Sequence, residues 1–298
     1  MKRCRSRGRL LLPFLLFLQA TAAPALPLWE LAGTDNRIMV LGSIHFLRGA
    51  DYPLAPEIMR AFTEADVVVM EIDMDDLDPL ASAQVIATLA RDPAGRQLPE
   101  LLGTSAWKSA AAGARELGLD PELLKPFEPW YAAIIVTQLR LAQLGFDQSL
   151  GVESSLAADA AREGKEIRGL ETLEDQLGML DGLSAGAQRA FLQQTLEEAA
   201  EVADIAGDMV RAWRAGDVRA LDENLLSGVR EQPELYRALI LERNRRFAEA
   251  IAELADDGKD YLVVVGALHL VGPDSVLHML DRKGIGAKQV DGARKADR

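Results

Sequence analysis

Three histidines occur in 298 residues, and two of them stand in the same setting. RIMVLGSIHFL, residues 37–47, is apolar up to Gly42 and reaches His45 after a two-residue gap. YLVVVGALHLVG, residues 261–272, repeats the arrangement with Gly266 and His269. In each, glycine permits a sharp turn after a buried strand, and a short loop then aims an imidazole over the strand's end. Two imidazoles and one carboxylate are a common ligand set for a divalent transition metal with open positions, such as Zn, Mn, Fe or Co. Water on such a metal loses its proton more easily, and a second carboxylate can act as general base or acid.

Two glutamates are placed to supply those carboxylates. Glu71 ends the apolar run VVVMEID, where burial demands a partner, either a metal or an arginine. Glu171 ends KEIRGLE, where it suits either catalysis or capping of the helix that follows. Glu153, at a helix start in GVESSL, reads as a cap, and Asp73 is a lesser candidate on the rim. His278, four residues after Asp274, reads as a surface helix pair. One Gly-x-x-His match is weak, because a histidine after a strand is commonly just a loop residue bonded to backbone. The signal lies in the repetition after two buried strands.

The elements that must position these residues are strands. RIMVL, VVVMEID and YLVVV read as buried strands, KEIRGLE as a short strand opening into a helix, and AKQVD as a candidate last strand. LAPEIMRAFTEA, 54–65, reads as a helix with proline in its first turn. Strand, helix, strand near the start is a βαβ unit, which implies a parallel sheet. The expected fold is therefore α/β: a mostly parallel central sheet formed by both chain ends, with a large helical insertion at about 75–160 and 175–235. A long helix is expected over 185–228, broken near Gly216, and an amphipathic one over 233–258. In open sheets of this class ligands bind beyond the carboxyl ends of the strands, where His45, Glu71, Glu171 and His269 fall.

Composition narrows the classes. MKRCRSRGR is basic, LLLPFLLFLQA is apolar, and ATAAPA supplies small residues, so residues 1–23 read as a secretory signal peptide and 24–298 as the working domain. An uncleaved leader is the one route to a membrane anchor, since no later segment is long and apolar enough to span. Cys4 is the only cysteine and precedes the apolar stretch, so disulfides, thiolate chemistry and a lipoprotein anchor are all disfavoured. A periplasmic or secreted location is expected. The formal net charge of −13 argues against nucleic acid or anionic lipid as a general partner. No H-E-x-x-H, G-x-S-x-G or G-x-x-x-x-G-K-[ST] motif is present.

With these residues placed, the sequence resembles the TraB/PrgY/GumN family, which includes the Tiki proteins. The resemblance rests on LGSIHFLRGADYPLAPEIMRAFTEADVVVMEID, LGVESSLAADAAREGKEIRGLETLEDQL, ERNRRF and VVVGALHLVGPDSVLHMLDRKGI. It implies an α/β fold similar to the ChaN and erythromycin-esterase-like group, and, for the Tiki branch, metal-dependent peptide hydrolysis. It further implies His45 and His269 as metal ligands and Glu71 as ligand or general base. The family's Arg-Asn pair falls on Arg243 and Asn244, and its Leu-Glu-Thr stretch on Leu170, Glu171 and Thr172. Where members often carry aspartate, this chain has Glu153. An arginine near the site can hold a carboxylate or steady an oxyanion, or can belong to a charged helix face.

The leading expectation is an exported metal-dependent hydrolase, peptidase-like, using Mn, Co or Zn on a peptide or small-molecule substrate, with Glu71, Glu171 and Arg243 as catalytic groups. Two alternatives stand: a periplasmic binding protein for metal, haem or peptide, and a metal-free site in which His and Glu act directly as acid and base.

Overall fold

The computed structural model describes residues 25–292, so the expected leader lies outside the described residues. Six strands form one sheet: β1 Ala25–Ala32, β2 Ile38–Ser43, β3 Val67–Ile72, β4 Glu166–Glu171, β5 Tyr261–Gly266 and β6 Gly286–Asp291. Their spatial order is β4-β3-β5-β2-β1-β6. β4, β3, β5 and β2 are mutually parallel. β1 and β6 add antiparallel pairings, so the sheet is mixed. β1 has no counterpart among the expected strands. It belongs to the sheet because Leu26, Leu28, Trp29 and Leu31 are all buried.

The central strands β2, β3 and β5 read as nearly unbroken apolar runs because both sheet faces are covered there. Met39, Leu41, Val68, Met70, Leu262 and Val264 pack with Phe62 and Trp213 on one side. Ile38, Val40, Val67, Val69, Val263 and Val265 pack with Phe247, Ile251 and Met279 on the other. The alternation has the two-residue period of a strand. The expected first helix is present as Pro56–Glu64, with its proline in the first turn.

The middle of the chain is helical and holds two apolar clusters of its own, around Leu98, Leu124, Val136 and Leu192 and around Trp130, Leu177 and Leu180. The long helices expected there are interrupted. The stretch from residue 185 divides into Ala185–Glu198, Val202–Ala215 and Val218–Arg230, with Gly216 left-handed (φ 58°) as the break at its position suggests. The stretch from 233 begins as Pro233–Tyr236, passes through a π-helical segment at Arg237–Glu242, and continues as the α-helix Arg243–Glu253. Among the described residues no helix is long and apolar enough to cross a membrane.

Candidate functional site

The two Gly-x-x-His segments look alike because they leave neighbouring parallel strands. β2 and β5 pair with Gly42 opposite Val265 and Ser43 opposite Gly266. The glycines are needed for close approach. A Cβ on Gly42 would stand 3.2 Å from Ala267 Cα, so the first segment touches the second. A Cβ on Gly266 would meet Glu71 Oε1 at 3.2 Å, the His269 ring at 3.6 Å and His45 Nε2 at 3.7 Å. Both imidazoles and the β3 carboxylate therefore converge on the bare Cα of Gly266. The buried Trp213 indole donates to Gly42 O at 2.6 Å and pins the first turn from behind.

The buried half of the site is built on one arginine. Arg243 is 4% exposed. Its Nη2 donates to Glu71 Oε2 at 2.6 Å and to Glu171 Oε1 at 2.5 Å. Nε donates to Glu171 Oε2 at 3.2 Å and Nη1 to His269 Nε2 at 3.0 Å. Glu71 also accepts the Gly266 N–H at 2.6 Å. Gln176 Nε2 donates to Glu71 and Glu171 alike, at 3.2 Å each. Arg246, half exposed, reaches Glu171 Oε2 at 3.3 Å from outside. Desolvated carboxylates need such saturation. The π-helical segment leads directly into Arg243 and Asn244, and both of these consecutive residues are buried while Arg245 and Arg246 face out. Such segments recur at functional positions in helices.

Asn244 sets the state of His269. Its Nδ2 donates to Asp274 O at 2.7 Å, which turns its Oδ1 toward His269 Nδ1 at 2.6 Å. The network assigns the proton to Nδ1 and leaves the Nε2 lone pair to face Arg243 and Glu71. Burial pushes the His269 pKa down to about 3, which keeps the ring neutral. Burial alone would push the Glu71 carboxyl up, but the charges of Arg243 and His45 and the Gly266 N–H outweigh it and hold it low, at about 2.

His45 has the opposite setting. Its side chain is 52% exposed, and its Nδ1 lies 2.8 Å from Glu153 Oε1. Ser43 Oγ donates to the same oxygen. Glu153 raises the His45 pKa to about 9. Gly151 makes this contact available. A Cβ there would collide with His45 O at 2.2 Å, so only glycine lets the helix Val152–Glu163 start against the His45 loop.

These contacts correct some expectations and decide between others that the sequence left open. Glu153 is not the N-cap, which is Gly151, and its carboxylate partners His45. Nor does Glu171 cap the next helix, where Thr172 and Asp175 form the capping box. Arg243 does not lie on a charged surface face; its neighbours Arg245 and Arg246 do. Asp274 accepts from the Tyr236 hydroxyl at 2.9 Å, and no ion pair joins it to exposed His278. Asp73 accepts the Asp75 N–H and stands outside the cluster. Gln176, Ser43 and Trp213 are site residues that the sequence did not single out. Ser43 lies inside the first Gly-x-x-His segment, and Gln176 stands five residues beyond Glu171.

Donor chemistry fits a divalent ion. His45 Nε2, His269 Nε2 and Glu71 face one cradle, and each imidazole is steadied at its other nitrogen, as metal-binding histidines are. As the side chains stand, no three His, Cys, Asp or Glu residues among those described are grouped to cage a metal, and Arg243 engages Glu71 and His269 Nε2.

Fold and site together define a mixed α/β protein with a paired-histidine, arginine-bridged carboxylate centre at the carboxyl edge of its sheet. The TraB/PrgY/gumN family model matches residues 27–289, and the chain belongs to that family. It is 25% identical to the uncharacterised Escherichia coli protein YbaP over 246 residues, covering 83% of this chain and 88% of YbaP. It is 23% identical over 300 residues to the zebrafish (Danio rerio) metalloprotease TIKI2, covering 82% of this chain and 57% of TIKI2. A TIKI homologue of Nematostella vectensis is 22% identical over 281 residues, with 60% of its length covered. No solved structure matches.

Proposed function

We propose that this protein is an exported metal-dependent hydrolase that cleaves peptide bonds. The observation that carries the reading is the convergence of His45 Nε2, Glu71 Oε1 and the His269 ring on Gly266. Kinship with the TIKI metalloproteases supports it, and the leader-like first 23 residues support export. A divalent ion (Mn, Co or Zn) would be held by His45, His269 and Glu71, and it supplies Lewis acidity and a readily deprotonated water.

The chain's own residues then divide the work. Glu153 and Asn244 occupy the two Nδ1 atoms; this leaves His45 Nε2 directed at the cradle, while His269 Nε2 would exchange its bond from Arg243 for the ion. Glu71, held near pKa 2, suits ligation and is a poor proton carrier. Proton transfer falls to Glu171. Arg243 holds both carboxylates in place, and all of its contacts go to protein groups. Arg246, half exposed on the outer side of Glu171, is the cation with donors left for a substrate oxygen.

The test is elemental analysis of the leaderless, untagged chain, followed by a peptide-substrate screen with Mn, Co and Zn. His45→Ala is expected to abolish turnover while circular dichroism and the unfolding midpoint stay near wild type. Turnover unchanged in that variant, or surviving exhaustive chelation, sinks the reading. Saturable ligand binding with no product would leave a binding protein instead.

A further inference from the structure

The helix Pro79–Leu89 is out of keeping with the rest of the fold. Its sequence, PLASAQVIATL, contains no charged residue, yet none of its residues is buried. A helix with no charge on any side is at home inside a protein. Here Val85, Ile86 and Leu89 pack partly against the cluster around Trp130, Leu177 and Leu180, while Pro79, Leu80, Ala81, Ala83 and Ala87 face solvent with the uncharged Gln84 and Thr88 among them. Leu80 is 69% exposed, and Met74 in the preceding loop is 37% exposed. Only Leu123 joins them as an exposed large apolar side chain among the described residues. Two such side chains six positions apart, beside an apolar helix face, mark a contact surface.

Its position ties it to the site. The loop begins at Asp73, two residues after Glu71. The helix packs against Leu173–Asp181, whose Gln176 holds both Glu71 and Glu171. Charge indicates the occupant. The loop carries Asp73, Asp75, Asp76 and Asp78. Asp73 and Asp78 are engaged by backbone N–H groups, whereas the exposed Asp75 and Asp76 carboxylates have no partner among the described residues. An apolar face edged by free carboxylates complements a chain that alternates apolar and basic side chains, and it repels anionic lipid.

We propose that the Met74–Leu80 loop and the open face of helix Pro79–Leu89 dock a cationic, apolar peptide segment and lead it to the neighbouring site. As a statement about substrate class this rests on the hydrolase reading. As a statement about docking it is measured without turnover. Lysine or arginine side chains meet Asp75 and Asp76; leucine-like side chains cover Leu80 and Met74.

The experiment is fluorescence anisotropy on the full mature chain with three short labelled peptides: alternating Lys-Leu, alternating Glu-Leu and alternating Lys-Ser. The Lys-Leu peptide is expected to bind about tenfold or more tightly than either other. Asp75→Asn with Asp76→Asn should weaken it about three- to tenfold at low salt, with the difference shrinking at high salt. Leu80→Ser with Met74→Ser should weaken it about tenfold at all salt concentrations. Both double variants change exposed side chains, and their unfolding midpoints serve as the control. Equal affinity for the three peptides, or variants that bind as wild type does, overturns the proposal. So does self-association in sedimentation that Leu80→Ser removes, because a second copy then covers the face. Binding as expected without cleavage of the Lys-Leu peptide in any metal keeps the docking assignment and counts against the hydrolase reading alone.

Discussion

The two Gly-x-x-His loops share a motif and differ in almost everything that decides chemistry. His45 is half exposed, faces a carboxylate and is held in its charged form up to a pKa of about 9. His269 is 1% exposed, faces an amide oxygen and is held neutral. Glu71 lies between them, bonded to Gly266 N–H and to Arg243. One imidazole is thus supplied ready to donate a lone pair, while the other must first give up a proton. The lesson is that a motif places an imidazole, and the partner at its far nitrogen sets its state.

The strongest way to break the contrast is to remove its buried half. Arg243→Ala leaves Glu71 and Glu171 desolvated without their cation, and a loss of about 3–5 kcal/mol is expected in urea unfolding. Arg243→Lys should recover little of it, since an ammonium cannot span both carboxylates and His269 with the fork geometry seen here. A loss under about 1 kcal/mol would show that the carboxylates find other partners.

Next in size is the cradle itself. Gly266→Ala puts a methyl 3.2 Å from Glu71 Oε1 and into the space shared by both imidazoles. Metal affinity, read by competition with a chromogenic chelator, should fall by about 10–100-fold, comparable to losing an outer-shell partner. Gly42→Ala is the companion: it presses on Ala267 and should cost stability more than affinity.

Asn244→Asp would sharpen the comparison by giving His269 the kind of partner His45 has. The His269 pKa should rise from about 3 toward that of His45, which imidazole NMR titration would follow. An unmoved titration would assign the depression to burial alone.

The smallest effect is at the exposed end. Glu153→Gln should return the His45 pKa toward the ordinary range of about 6.5. His45 has a raised folded-state pKa, so its contribution is full below about pH 6.5 and fades as pH rises through about 9. Glu153 is lowered, so its contribution is lost as pH falls through the carboxylate range. Wild type should therefore exceed the variant most between about pH 5 and 6.5, and solvent screening at half-exposed His45 keeps the margin within about 1 kcal/mol. Chemical unfolding at pH 6 and pH 9.5 checks the sign.

Much of the fold was legible because parallel strands covered on both faces must be apolar at every position. RIMVL, VVVM and YLVVV could be placed within a residue or two on that ground. β1 escaped notice because ALPLWELA is interrupted by a proline and adjoins the leader-like region. Gln176 escaped because an amide on a helix carries no spacing signal until its targets are known. Glu153 was misjudged for a related reason. A glutamate in a helix's first turn is a normal capping residue, and only the contact allowed by Gly151 shows it turned toward His45. For Arg243 the sequence left two readings open, since ERNRR also looks like a charged face, and the burial of Arg243 and Asn244 just after the π-helical segment decides between them.

Composition and spacing were enough to place four chemical side chains, His45, Glu71, Glu171 and His269, at the carboxyl ends of neighbouring parallel strands in one sheet. They do this because strand ends and glycine turns are local features, governed by backbone sterics and by which runs are apolar. The bonding of those side chains was decided only by the tertiary structure. The register of β2 against β5 brings the glycines together, a close approach at Gly151 delivers Glu153, and a helix from elsewhere in the chain inserts Arg243 and Asn244. The charge carried by an imidazole or a carboxylate depends on how far water is excluded and on which partner replaces it, and both are properties of residues distant in the chain.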